Sequence, residues 1–153
     1  MNLSKHANAI LQAYWNRVLP VDPFVLVRAS GWSVVFSDDL AGSARDFYLD
    51  PEEKVVYMNA EILSDAYEAR VSCAMALAYV VTASRETVIE EDTATEFAAE
   101  ILIPELFLGL VNDATNSAQH FAVTPNMVTV RRKQMLSAEY SSTTGFLTAA
   151  LSK

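Results

Sequence analysis

Arg70-Val71-Ser72-Cys73-Ala74-Met75-Ala76-Leu77-Ala78-Tyr79-Val80-Val81 is the stretch that decides the fold. From Val71 to Val81 ten of eleven residues are apolar, with Ser72 the exception. The helical pattern that holds it begins near Ala60. A helix that is apolar on every side lies inside a domain. The run falls short of the ~20 apolar residues of a membrane span, and so does every other run in the chain.

Downstream, residues 90–103 predict a further helix. Its face Ala94, Phe97, Ala98 and Ile101 has 3, 4, 7 spacing. Pro104 follows and can open another helix through Leu110 or Val111. Ser117 to Phe121 leads through Ala122-Val123-Thr124 to Pro125, and a last helix is expected to about Ser137, capped by Thr124. Two helices about a tight turn look like a helix-turn-helix, a shape that is also a common packing unit. The tail 141–153 is rich in Ser and Thr.

Upstream, Asp46 to Leu49 and Lys54 to Met58 flank Asp50-Pro51-Glu52-Glu53, which predicts an antiparallel hairpin. Trp32 to Phe36 is β-branched and aromatic and reads as a strand. Asp22 is a good N-cap, Pro23 suits a first helical position, and Gly31 ends that helix. Residues 3–17 show helical spacing before Pro20. The chain therefore reads as α+β, with a small three-stranded antiparallel or mixed sheet in a largely helical domain over 1–140 and a tail over 141–153. There is no internal repeat and no low-complexity tract.

At 153 residues the chain suits one domain that can bury a core without staples. Its 52% hydrophobic and 20% charged residues argue against disorder. A single cysteine, Cys73, excludes a disulfide framework and any multi-cysteine zinc site. The first six residues lack the pattern of a signal peptide, so a soluble cytoplasmic protein is expected. The net charge of −8 argues against broad phosphate-backbone binding. Seven acids and no base lie from Glu86 to Glu105, whereas Arg131, Arg132 and Lys133 cluster. Such runs serve protein partners, although their ordinary meaning is a solvated face.

Several segments carry a resemblance. Val21-Asp22-Pro23 is similar to a "pvdp" helix start, Gly31-Trp32-Ser33-Val34 to a first strand, and Val56-Tyr57-Met58-Asn59 to an "i-x-i/v-N" strand end. The most specific match runs from Glu91 through Ala94, Thr95, Phe97, Ala98, Ala99 and Ile101 to Pro104, against "E-x-x-A-N-x-F-A-A-x-L-L-M-P". Ala118, Phe121, Val123, Thr124 and Arg132 look like the helical pair that closes the domain. Together these resemble the ImmA/IrrE family of zincin-like metallopeptidases (a DUF955-type domain), over about residues 5–137.

The chain departs from that family at its centre. The family's active-site helix reads roughly "R-x-F-T-L-A-H-E-L-G-H", because two histidines one turn apart share a face and the adjacent Glu is the general base. Met75 and Tyr79 stand where the histidines would, and Ala76 stands where the base would. Glu91 alone matches a third ligand. A thioether suits Cu(I) better than Zn²⁺, and a methyl group takes no proton from water. The expectation is a pseudoenzyme with no cofactor, its old metal cavity filled by Met75 and Tyr79 and the Tyr79 hydroxyl bonded to Glu90 or Glu91.

The resemblance implies a partner, because family members with intact sites relieve repression by acting on helix-turn-helix repressors. The leading expectation is an anti-repressor-like regulator of phage or prophage type that binds such a repressor or another transcription factor. Its candidate contacts are Glu90, Glu91, Asp92, Glu96, Arg131 and Arg132. The three acids at 90–92 equally suit the first turn of a helix. Two alternatives stay open: a metallopeptidase that uses zinc on non-standard ligands such as His120 with Glu91, and a toxin–antitoxin or defence module. A homodimer through exposed apolar helix faces is also open, whereas DNA and membrane partners are disfavoured. His6 and His120 otherwise read as surface or packing residues, and Cys73 as a buried thiol.

Overall fold

The computed structural model describes residues 2–83, 85, 87–111 and 114–137. In chain order these form α1 (Ser4–Tyr14), α2 (Pro23–Ala29), β1 (Ser33–Ser37), β2 (Phe47–Asp50), β3 (Val55–Asn59), α3 (Ala66–Ala83), α4 (Glu91–Leu102), α5 (Ala114–Phe121) and α6 (125–137). Short 3₁₀ helices at Asp38–Leu40, Ala60–Ser64 and Glu105–Leu110 join them. The architecture is α+β. The tail assigned to 141–153 lies outside the described residues.

The decisive stretch is α3. Asp65 starts it, its Oδ1 accepting the N–H groups of Tyr67 (3.0 Å) and Glu68 (3.2 Å). Cys73, Ala74, Ala76, Leu77 and Ala78 have no exposed surface. A helix with no polar face must be covered all round, and α2, α4 and β2 cover this one. Four alanines (Ala69, Ala74, Ala76, Ala78) let those neighbours come close. The buried Thr82 hydroxyl is satisfied by the Ala78 carbonyl at 3.1 Å.

The sheet is mixed, in the order β1-β3-β2. β2 and β3 form the expected hairpin, shifted by one residue, with Phe47 opposite Met58 and Asp50 opposite Val55. The Asp50 carboxylate accepts the N–H groups of Glu52 and Glu53, both at 3.2 Å, which folds the turn. β1 pairs with β3 in parallel, Ser33 opposite Val55. At the far end of β3, Asn59 is 3% exposed. Its amide donates to the carbonyls of Leu40 and Arg45, both at 3.1 Å, and its Oδ1 accepts the Glu61 N–H. One buried side chain thus pins both flanking loops.

The expected caps of α2 are present. Asp22 accepts from Phe24 and Val25, and Gly31 turns the chain at φ +90°. α4 buries Ala94, Phe97, Ala98 and Ile101 as the spacing predicts. After Pro104 the chain makes a 3₁₀ helix over Glu105–Leu110 in place of the expected α-helix. Among the described residues no helix is long and apolar enough to cross a membrane.

α5 and α6 form the expected helical pair. At its turn the Val123 N–H bonds to the Ala118 carbonyl (2.9 Å) and the Ala122 N–H to that of Gln119 (3.2 Å). That is a Schellman closure. Its left-handed position is held by Ala122, at φ 54°, where glycine is usual. Arg70 of α3 docks the pair, since its Nε donates to the Ala122 carbonyl at 3.0 Å and its guanidinium also donates to the Val21 carbonyl. Ala122→Gly should stabilise the protein by about 0.5–1 kcal/mol, read as a higher denaturant midpoint at unchanged slope.

Candidate functional site

Met75 and Tyr79 lie one turn apart on α3 and are both half-buried, whereas Ala76 between them is fully buried. The Tyr79 ring packs on Phe47 of β2 at 5.7 Å between centroids. Glu91, exposed at the start of α4, acts on it through its charge. Burial first, and the Glu91 charge second, raise the Tyr79 pKa above the ordinary tyrosine range. The phenol is therefore neutral at any physiological pH. The expected hydrogen bond from its hydroxyl to Glu90 or Glu91 does not form, and Glu91 is felt only through its field.

This donor set does not fit zinc. It offers one thioether, one neutral phenol and one exposed carboxylate, where a catalytic site uses three nitrogen or oxygen ligands and an open water position. Among the described residues no three His, Cys, Asp or Glu side chains are grouped to hold a metal ion. His120 is exposed on α5, its ring edge-on to Phe121 at 5.1 Å. It has no such group to join with Glu91. His6 is half-buried on α1, its Nδ1 enclosed without a partner. Burial pushes the Cys73 thiol far up, so it holds its proton.

The acids of α4 divide between two places. Glu90 precedes the helix, and Glu91 and Asp92 occupy its first turn, where negative charge is favourable. From Asp92 onward the spacing of four sets Asp92, Glu96 and Glu100 on one face. With Glu105 they line a groove of about 720 Å³ between α1, α4 and α6. Asp92 and Glu96 are exposed. Glu100 is half-buried and accepts the Ser4 hydroxyl at 2.6 Å.

Arg131, expected at a partner surface, lines the same groove but turns inward and is 8% exposed. Its Nε donates to the Ile103 carbonyl at the end of α4 (2.8 Å), and its Nη1 donates to the Gln134 Oε1 (2.8 Å). Gln134 in turn donates to the Glu96 carbonyl at 2.9 Å. Burial lowers the Arg131 pKa, and Glu100 and Glu105 oppose that shift. The guanidinium thus joins α6 to the C-terminal end of α4, where a cation is favoured. Arg132 is half-buried and Lys133 is exposed. The basic cluster is therefore split, with one member inside the fold. The clue lay in helical spacing, since Arg131 falls one turn after the buried Met127 and Val128.

No family model and no curated protein matches the chain. Among solved structures, one described as a Mycobacterium tuberculosis transcriptional regulator shares the fold, with a TM-score of 0.63 at 18% identity over 84% of this chain. The likeness is one of fold. The chain spans 45% of that regulator's length.

Replacing Arg131 by Met keeps the volume and removes the charge-assisted bonds. Arg131→Met should cost about 1.5–3 kcal/mol of stability, measured by urea unfolding. Lys133→Met, at an exposed position, should change stability by less than about 0.5 kcal/mol.

Proposed function

We propose that the chain is a non-catalytic regulator built on an ImmA/IrrE-type scaffold, and that it acts by gripping a helix-turn-helix repressor or similar transcription factor. The observation that carries this reading is the α3 face. Met75, Ala76 and Tyr79 supply neither a zinc-binding set nor a base that could activate water. A domain of this shape without hydrolytic machinery retains its surfaces, and a surface can bind.

The groove along α4 supports the choice of partner. Asp92 and Glu96 are exposed in a groove whose four acids outnumber its two bases, the inward-turned Arg131 and the exposed Lys133. DNA-reading helices are basic, so an acidic groove can occupy the surface that a repressor offers to its operator. The regulatory class of the fold neighbour accords with such a role. The α5–α6 pair is not itself offered as a DNA reader, because Arg131 is committed to Ile103 and Gln134.

Titration of the protein with the helix-turn-helix repressor encoded beside it should give a complex that weakens with added salt. Asp92→Lys with Glu96→Lys should weaken that complex by about tenfold or more and leave the fold unchanged, since both side chains are exposed. Absence of any complex, or a bound zinc ion with a specifically clipped repressor, overturns the reading. Met75→His with Tyr79→His places two imidazoles one turn apart near Glu91. That variant should take up zinc in an elemental assay where the unaltered protein takes up none.

A further inference from the structure

With the order β1-β3-β2, the sheet has two edges that no further strand covers among the described residues. The edges differ in charge. β2 ends on Asp50 and follows Asp46. Antiparallel pairing of β2 with its own copy about Tyr48 would set Asp46 opposite Asp50, and like charges directly opposite repel. β1 reads Ser33-Val34-Val35-Phe36-Ser37 and carries no charge and no proline, the residues that ordinarily blunt an edge. Two of its apolar side chains are exposed, Val35 at 43% and Phe36 at 37%. α2 packs on β1 through Phe24 and Phe36, 5.9 Å between centroids, and carries a further exposed apolar side chain, Val25.

The backbone of β1 is open in a defined register. The Ser33 N–H donates to the Lys54 carbonyl at 2.9 Å, so Ser33, Val35 and Ser37 are the residues that bond to β3 in the parallel ladder. The N–H and C=O groups of Val34 and Phe36 then point to the open edge. Neither residue makes a hydrogen bond outside the sheet among the described residues. The strand is also close to a palindrome. Turned about Val35, Ser33 meets Ser37 and Val34 meets Phe36, so each apolar side chain meets an apolar one and each serine a serine.

We propose that β1 pairs with β1 of a second copy of this chain, antiparallel and centred on Val35, to give a six-stranded sheet. Val34 of each copy exchanges N–H and C=O bonds with Phe36 of the other, which satisfies the open groups of both edges. The two Val35 side chains meet at the two-fold axis. Asp38 and Asp39, exposed just past β1, are carried toward the end of α2 on the other copy, where Arg28 is exposed. That juxtaposition of opposite charges occurs twice by symmetry. β1 shares no residue with the acidic groove, so self-pairing is independent of the repressor reading. The paired strands are short, which places the dimer in the weak class.

Sedimentation of the full chain from about 5 μM to about 1 mM should show monomer passing into dimer. Val35→Lys sets two ammonium groups face to face in a close cross-strand pair, and Val35→Asp two carboxylates. Each alone should weaken the dimer by about tenfold or more, and each should stay folded, because Val35 is exposed. The two variants mixed in equal amounts should dimerise again, since their charges are opposite; loss of fold could not be rescued in this way. Val35→Cys should cross-link to its own copy in oxidised glutathione, with Cys73 sealed in the core. Ser33→Cys, whose register partner is Ser37, should not. A chain that stays monomeric to about 1 mM leaves this edge to a different protein and overturns the proposal. So does a dimer that both charged variants leave intact, which puts the second copy on another face, or a mixture that associates no better than either variant alone.

Discussion

A helix with no polar side cannot rest on a surface; it has to be enclosed. α3 imposes that requirement on the whole molecule. Its small alanines let α2 and α4 come close, its Leu77 is fully buried, and β2 packs on it through Phe47 against Tyr79. Polar fasteners then hold the cover in place. Arg70 ties the start of α3 to the segment before α2 and to the α5–α6 turn. Asn59 fixes the loops around β3, and Arg131 fixes α6 to the end of α4. Each fastener reaches backbone carbonyls that regular secondary structure leaves unpaired, so each removes a cost that burial would otherwise create.

The same enclosure accounts for the side chains on the Met75–Tyr79 face of α3. An imidazole pair needs a metal or water to satisfy its nitrogens. A thioether and a phenol ring do not, and both pack against apolar neighbours. Tyr79 on Phe47 and half-buried Met75 leave Glu91 outside, exposed, with only its field reaching the phenol. The face is packing surface with a carboxylate at its rim.

Local signals in the sequence proved legible, and contacts between distant segments did not. The apolar run of α3, the 3, 4, 7 spacing of α4, the Asp22–Pro23 start and the Asp50–Pro51 turn each depend on residues a few positions apart. Each appears as read to within a residue or two, except that α3 begins at Ala66 and not near Ala60, where a 3₁₀ helix precedes it. The parallel pairing of β1 with β3 depends on how the long loop between β1 and β2, and β2 itself, return the chain, and no short pattern encodes it. Pro104 misled for a related reason: it can begin a helix, but the 105–110 segment follows the groove and tightens to 3₁₀. Arg131 looked like surface charge because its acceptor, the Ile103 carbonyl, lies 28 positions away.

The α4 acids show how placement gives one residue type different work. Like charges at a spacing of four repel by a few tenths of a kcal/mol per pair, so the Asp92–Glu96–Glu100 stripe weakens its own helix unless something offsets it. Asp92 is offset by its place in the first turn. Glu100 is offset by the Ser4 hydroxyl and by the nearby Arg131 charge. Glu96 is the member without such help: its carbonyl takes a bond from Gln134, while its carboxylate stays in solvent. A repulsion left standing on the molecule is relieved when a cation arrives, so binding recovers what folding left unfavourable. That difference makes the outer end of the groove, and not the buried arginine beneath it, the part that a basic partner would feel first.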